Sequence, residues 1–275
     1  MPNKMVCIMG SPVGHSLSPK LHGFWIRKHA LSGDYTAMEV PKENLAAMLD
    51  SLVNRGFAGC NLTMPLKERA LSLMDEHDES CLISGAVNTV VIRDGKKTGF
   101  NSDGFGFMES LRGQHAGWNG ARVAVLGAGG AARAIIAALK AAGAERFILS
   151  NRTQEKPLRI IKDLNLKNAT VMEWENRSAA MKDATLLVNC TSLGMTGHPA
   201  LEIDLSLLPE AAAVCDIVYR PLITPLLVEA QRRGHPVVTG LPMLLHQGRL
   251  GFRQWFGVDP AVTSDLYEEI AACAG

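Results

Sequence analysis

The stretch Val123–Ala132, V-A-V-L-G-A-G-G-A-A, narrows the choice of fold more than any other part of the chain. It combines an apolar strand, a G-x-G-x-x-A turn and a predicted helix running on from Arg133 through Ile135, Ile136 and Leu139. In that context each small residue has a physical role. Gly127 permits the tight turn, Gly129 lets backbone approach a pyrophosphate, and Ala132 allows the helix to pack close to the strand. The helix N-terminus then faces the phosphates. Alone the motif is weak, since glycine turns are common. Here it opens a regular alternation, with strand candidates at Arg122–Leu126, Arg146–Leu149, Ala169–Met172, Thr185–Cys190, Val214–Val218 and Pro236–Thr239. Strands separated by helices of about ten residues predict a parallel, doubly wound sheet, because parallel strands need crossover connections. A dinucleotide-binding domain over residues 104–239 is the expectation.

At 275 residues the chain has room for a second domain. Residues 1–103 carry a different pattern. Val6–Met9, Tyr35–Val40 and Phe57–Leu62 read as strands, and Asn44–Arg55 as an amphipathic helix stopped by Gly56. Ser18-Pro19 opens a further helix, with Ser18 expected as N-cap and Leu21, Phe24 and Trp25 on one face. Asp94-Gly95 between Val87–Ile92 and Lys97–Phe100 predicts a hairpin. Two C-terminal helices, Pro242–Phe256 and Pro260–Cys273, are expected to return to the first domain, giving it residues 1–103 plus 240–275.

Twenty-eight basic against 27 acidic residues leave a net charge of +1, which argues against a nucleic-acid partner. The six cysteines are widely spaced, with no Cys-x-x-Cys pair and no Cys/His cluster at ligand spacing, so neither a disulfide framework nor a metal site is expected. No apolar run reads as a signal peptide or membrane span. A cytoplasmic protein without a membrane partner is the expectation, as a monomer or homodimer.

The second strand of the alternating series ends Ser150-Asn151-Arg152-Thr153, where an NAD site usually places a carboxylate for the ribose 2′-hydroxyl. No carboxylate stands there to repel a 2′-phosphate. Arg152 offers a guanidinium that pairs with phosphate and stacks on adenine, with Lys156 one helical turn on, so NADP(H) is the expected cofactor. The bland alternatives are a solvated loop arginine and, for Thr153, a helix cap.

A redox cofactor needs a partner surface that holds substrate and moves a proton. Residues 1–103 hold four polar clusters at predicted strand or helix ends: His15-Ser16-Leu17-Ser18, Asn61 to Lys67, Gly85 to Thr89, and Asn101-Ser102-Asp103, the last running on into Gly104. Any one is explicable as turn chemistry. Lys67 and Asp103 are the obvious opposite charges among them, a surface ion pair being the bland alternative. His15 and His22, seven residues apart, do not share a helix face and read as structural.

Taken together these stretches resemble the shikimate dehydrogenase family from end to end: SPVGHSLSP (11–19), NLTMPLK (61–67), GAVNTV (85–90), GFNSDGFG (99–106), VLGAGGAARA (125–134), NRT (151–153), NCTSLGM (189–195), DIVYRPLITPLL (216–227) and GLPMLLHQG (240–248). The resemblance implies an NADP-linked, reversible interconversion of 3-dehydroshikimate and shikimate, a step of aromatic amino-acid biosynthesis. It implies an α/β fold of two domains: an N-terminal α/β substrate domain and a Rossmann-like domain binding NADP(H). Carried over by motif, Ser16 and Ser18 bind the substrate carboxylate with Tyr219 nearby, and Thr63, Asn88, Asp103 and Gln247 hold ring hydroxyls. Lys67 and Asp103 form the catalytic pair. The loop Gly127, Ala128, Gly129, Gly130 and Ala131 takes the pyrophosphate, and Asn151, Arg152, Thr153 and Lys156 seat the 2′-phosphate. Thr191, Leu193, Met195, Val218 and Gly240 line the nicotinamide end.

Three positions depart from the family pattern: Ser102 for a usual Thr, Leu62 for Val, and Pro242 where Gly is common. None removes a catalytic group, though Ser102 lacks a methyl beside the substrate residues. The rival readings are a quinate/shikimate dehydrogenase of broader specificity, a folate-linked dehydrogenase sharing only the glycine loop, and a non-catalytic NADP sensor. The polar clusters of residues 1–103 disfavour the second, and retention of both Lys67 and Asp103 disfavours the third.

Overall fold

The computed structural model describes residues 3–115, 118 and 122–274. The chain divides into two units, one formed by the N-terminal residues to Asp103 with Leu245–Cys273, the other centred on Gly104–Leu244.

In chain order the first unit holds β1 (Lys4–Gly10), α1 (Ser18–Lys28), β2 (Gly33–Glu39), α2 (Leu45–Asn54), β3 (Gly59–Leu62), α3 (Lys67–Ala70), β4 (Glu76–His77), α4 (Glu79–Ser84), β5 (Thr89–Arg93) and β6 (Lys96–Phe100). These strands form one mixed sheet in the order β2-β1-β3-β5-β6-β4. β1 lies parallel to β2 and β3, whereas β5 runs antiparallel to both β3 and β6. The β5–β6 hairpin turns at Asp94-Gly95, both with positive φ, as that dipeptide predicts. One sheet face is covered by Leu45, Leu49 and Leu52 of α2, packed with Cys7, Met9, Cys60, Leu62 and Val90. Leu62 ends β3 as a buried apolar residue.

The second unit begins with α5 (Asp103–Gln114), whose first residue belongs to the first unit, and continues with β7 (Arg122–Leu126), α6 (Gly130–Ala141), β8 (Arg146–Ser150), α7 (Glu155–Asp163), β9 (Ala169–Met172), β10 (Leu186–Asn189), β11 (Ala213–Asp216), α8 (Pro225–Arg232) and β12 (Val237–Val238). The sheet order is β12-β11-β10-β7-β8-β9, all parallel. Numbered within the unit this is 6-5-4-1-2-3, the order of a dinucleotide-binding doubly wound sheet. The strands are nearly continuous apolar runs because both faces are covered. All six predicted strands are present, but the expectation of a ten-residue helix in every crossover is corrected. A 3-10 segment, Trp174–Met181, joins β9 to β10, and between β10 and β11 the described helical structure is the short 3-10 turn Leu205–Leu207. Gly194, Gly197 and Pro199 fall in that second connection, where they disfavour a continuous helix.

Two C-terminal helices follow, the long α9 (Gly240–Phe256) and the shorter α10 (Ser264–Ala271). The division between units falls within α9, five residues later than the boundary read from sequence. The later part of α9 packs Phe252 and Trp255 against His22 and Trp25 of α1 and against Tyr35 of β2.

Candidate functional site

In the first unit, register aligns the polar sequence clusters. Asn61 of β3 pairs with Thr89 of β5, and Thr89 with Phe100 of β6. The residues just beyond the ends of these strands, Lys67 after β3, Asn88 before β5 and Asn101–Asp103 after β6, therefore share one sheet edge. Lys67 Nζ donates to Asp103 Oδ2 at 2.7 Å, with the two side chains 19% and 5% exposed. A solvated surface pair is thereby excluded.

Asp103 is held on every side. Asn88 Nδ2 donates to its second oxygen at 2.8 Å, and its backbone N–H donates to Asn101 Oδ1 at 2.9 Å. Asn88 is fixed in turn, its Oδ1 accepting from the Thr89 hydroxyl at 2.9 Å and the Ser102 amide at 3.0 Å. Behind it Asn61 Nδ2 donates to the Asn88 carbonyl and to Thr89 Oγ1, each at 3.0 Å, and the Tyr35 hydroxyl donates to Asn61 Oδ1. Burial pushes the Tyr35 phenol well above its ordinary pKa, so it stays a donor. Gln247 joins the cluster from α9, its Oε1 accepting from Asn88 Nδ2 and the Ser102 hydroxyl, both at 3.4 Å. With both carboxylate oxygens occupied, Asp103 is an oriented anion, and each such charge-assisted bond is worth about 1.5–3 kcal/mol.

Ser18 is the first residue of α1, not its N-cap; Leu17 occupies that position without a side-chain bond. Ser16 Oγ instead accepts from the Ser18 amide at 3.3 Å. The reason lies upstream, where Ser16 N–H bonds the Val13 carbonyl and Glu39 accepts from Val13 N–H at 2.9 Å, pulling the loop into a turn that ends one residue earlier. The hydroxyls of Ser16 and Ser18 thus both stand at the N-terminal end of an eleven-residue helix. Thr63 is pinned between the Met9 carbonyl and the Leu66 amide, and packs so tightly on Gly10 that a Cβ there would strike its methyl. His15 is exposed, and His22 is wholly buried.

In the second unit a single register row, Met172–Ser150–Leu126–Asn189–Asp216, runs along the carboxyl ends of β9, β8, β7, β10 and β11. The loops singled out from sequence leave the strands just past this row, at Gly127, Asn151, Thr191 and Val218. Gly127 adopts φ 102°, and a Cβ would meet the Cys190 backbone at 3.0 Å. α6 starts at Gly130, three residues before the sequence expectation, with Gly129 as an N-cap that has no side-chain bond. Its first amides have no acceptor within the helix, nothing lies within 4 Å of a Cβ built on Gly129, and Ala132 is fully buried against the sheet. These residues fit a pyrophosphate.

Past β8, Asn151 Nδ2 donates to the Thr153 carbonyl at 2.8 Å and shapes the loop that presents Arg152, Thr153 and Lys156, all exposed. Thr153 is not a helix cap, because Gln154 precedes α7. Gly240 opens α9 against the Ile217 and Val218 carbonyls, each 2.5 Å from where a Cβ would lie. Tyr219 belongs to this second unit, unlike the other proposed substrate residues. Met195 is half-buried, its amide bonded to the Ser192 carbonyl at 3.2 Å.

Two residues not singled out from sequence organise this edge. Asn189 Oδ1 accepts from the Thr191 amide at 3.0 Å and the Thr191 hydroxyl at 2.7 Å, while Asp216 accepts from Asn189 Nδ2 at 3.1 Å and the Val218 amide at 3.0 Å. The available signal is a lone polar residue closing each of two apolar strands, L-L-V-N and A-V-C-D. No group of His, Cys, Asp and Glu among the described residues is arranged to hold a metal.

Family profiles match this layout unit by unit. The shikimate dehydrogenase substrate-binding domain covers residues 8–90, shikimate/quinate 5-dehydrogenase 110–197, and the shikimate 5′-dehydrogenase C-terminal domain 240–264. The shikimate dehydrogenase (NADP(+)) of Dinoroseobacter shibae is 46% identical over 262 residues, 94% of each chain. The chain belongs to the shikimate dehydrogenase family. Among solved structures, shikimate 5-dehydrogenase from Thermus thermophilus in complex with NADP(H) and shikimate aligns at 39% identity and TM-score 0.88, covering 98% of this chain and 99% of that one. Quinate dehydrogenase from Corynebacterium glutamicum in complex with NAD aligns at 28% identity and TM-score 0.90, with the same coverage. The fold is thus shared by enzymes named for shikimate and for quinate, in complexes with NADP(H) and with NAD.

Proposed function

We propose that this family member interconverts 3-dehydroshikimate and shikimate with NADP(H), and that Lys67 and Asp103 handle the proton. The observation that carries this is the Lys67–Asp103 pair at 2.7 Å, withdrawn from solvent and braced by Asn88. When bound, NADPH supplies the hydride that adds to the substrate carbonyl carbon. Lys67 Nζ stabilises the negative charge growing on the carbonyl oxygen and delivers a proton to it. Asp103 orients that ammonium and accepts a hydrogen bond from the neighbouring ring hydroxyl. In the reverse direction Lys67 takes the proton back.

Thr63, Asn88 and Gln247 supply the further polar contacts that fix the ring, and Ser16 and Ser18 at the N-terminus of α1 take its carboxylate, with Tyr219 as a further contact. On the cofactor side, Gly127 through Ala131 receive the pyrophosphate, while Asn151, Arg152, Thr153 and Lys156 take the 2′-phosphate. Thr191, Leu193, Met195, Val218 and Gly240 border the nicotinamide. The absence of a carboxylate at the end of β8, with Arg152 exposed just beyond it, favours NADP(H) over NAD(H). Six free cysteines favour work in a reducing compartment such as the cytoplasm.

The test is a cross of shikimate and quinate with NADP and NAD, followed as nicotinamide absorbance. Turnover concentrated in shikimate with NADP is expected, and Arg152→Ala is expected to weaken NADP far more than NAD. Comparable rates with quinate or NAD would move the chain to the broader-specificity reading. No turnover with any pair would remove the catalytic one.

A further inference from the structure

Asp216 is a carboxylate buried to 2% exposure at the end of a fully apolar strand, and the proton-transfer scheme does not use it. Its surroundings show what it does instead. Oδ1 accepts from Asn189 Nδ2 at 3.1 Å and from the Val218 amide at 3.0 Å, and Oδ2 accepts from the Thr224 hydroxyl at 2.7 Å. Asn189 is committed further, donating to the Leu193 carbonyl at 3.2 Å and accepting both the amide and the hydroxyl of Thr191. Thr191 Oγ1 then accepts from the Leu193 amide at 3.1 Å. One carboxylate therefore ties together the loop after β10, the turn after β11 and, through the Thr224 cap, the start of α8.

The turn after β11 carries the carbonyls on which Gly240 sits, so the network reaches the opening of α9 as well. Burial pushes the Asp216 carboxyl up to about 6 although three donors pull the other way, which marks a costly placement for a group serving only local packing. Strand ends of this kind do not need an acid, since a backbone amide is satisfied by a neutral acceptor. An acid does what a neutral acceptor cannot, taking three donors from three segments on two oxygens.

We propose that Asp216 is a positioning residue for hydride transfer: through Asn189 and the Val218 amide it holds the Thr191–Leu193 loop and the Ile217–Val218 turn against the nicotinamide end of the cofactor. This rests on the cofactor assignment above, and acts on the nicotinamide half alone. The adenosine half, at Arg152 beyond β8, lies outside the network.

The two halves are separable with 2′,5′-ADP, which carries the adenosine and its 2′-phosphate but no nicotinamide. In Asp216→Asn the charge is lost, and the Thr224 contact survives only with its direction reversed, the new amide N–H donating to the Thr224 hydroxyl. The expected result is unchanged 2′,5′-ADP affinity, an NADPH Kd raised about tenfold, a kcat lowered by about tenfold to a hundredfold, and a larger primary deuterium isotope effect as hydride transfer becomes slower. Asn189→Ala, which leaves Asp216 its Thr224 and Val218 partners, is read the same way should Asp216→Asn not fold. Unchanged NADPH affinity and kcat would overturn the proposal, as would parallel weakening of 2′,5′-ADP and NADPH, the mark of general destabilisation. Failure of the wild-type protein to bind 2′,5′-ADP would overturn the cofactor assignment itself and this proposal with it.

Discussion

Lys67 and Asp103 lie 36 residues apart, and their chemistry depends on a contact of 2.7 Å. Removing the ammonium leaves a buried carboxylate held by neutral donors and takes away the proposed proton donor. Lys67→Ala is therefore expected to lower kcat by about a hundredfold or more with a smaller change in shikimate KM, as for a contact that matters most in the transition state. Steady-state kinetics at saturating NADP measure it, and an unchanged kcat would remove Lys67 from the mechanism. His22 illustrates the opposite kind of buried group. It stacks on Tyr35 at 4.1 Å, neither ring nitrogen has a hydrogen-bond partner among the described residues, and burial pushes its pKa down from 6.5 to about 3. The unfolded chain binds a proton below pH 6.5 that the folded chain refuses, so stability is full above that pH and drains as pH falls toward 3. The loss approaches about 1.4 kcal/mol per pH unit within that window. Denaturant melts of wild type and His22→Phe at neutral and mildly acid pH should converge or cross as pH falls; a constant difference would refute the assignment.

At the scale of elements, both proposed sites are strand-end constructions. In the second unit the row through Ser150, Leu126, Asn189 and Asp216 sets four loops at one level, so a shift in any strand's register would displace its loop from the others. Gly240 shows how tight the arrangement is, since its missing Cβ would sit 2.5 Å from two backbone oxygens that cannot rotate away. Gly240→Ala is expected to cost about 1–3 kcal/mol of stability by overpacking and to weaken NADPH through displacement of the Val218 turn. Thermal melts and a fluorescence titration measure the two effects, and an unchanged Kd would mean that the start of α9 does not border the cofactor. Much of this scale is legible in the sequence: the parallel series, the hairpin at Asp94-Gly95 and the helix after the glycine loop all follow from local pattern. The N-cap expected at Ser18 fails because the turn at Val13–Ser16, set by a bond from the Val13 amide to Glu39 at the end of β2, decides where α1 begins. The crossovers that lack a regular helix are not legible either, because apolar periodicity marks the strands clearly and says little about the connection between them.

At the scale of the whole molecule, each unit carries its own polar edge, and apart from Tyr219 the residues proposed for the two ligands divide between the units. Hydrogen exchange should therefore resolve them. NADP alone is expected to protect amides around residues 127–132 and 189–195, and shikimate alone those around 16–18, 61–67 and 101–103. NADP protection confined to the first unit would contradict the assignment of roles. Neither edge reads as a site from any single stretch of chain, since the first draws on β3, β5, β6 and α9 and the second on β7, β8, β10 and β11.

By itself the sequence determined the doubly wound second unit, the phosphate loop, the absence of an acid at the end of β8 and the polar clusters of the first unit, because these are local properties of spacing and residue type. Which clusters meet was decided only in three dimensions. Apolar strands such as Leu186–Asn189 and Ala213–Asp216 carry no local mark of their neighbour, and the order 6-5-4-1-2-3 places them side by side. Register then brings Asn189 to Asp216, as it brings Asn61 to Thr89 and the loops beyond them to the Lys67–Asp103 pair. Hydrogen bonds between side chains far apart in sequence form only when backbone pairing has set their distance, so the partners of Asp216 became visible only in the folded chain.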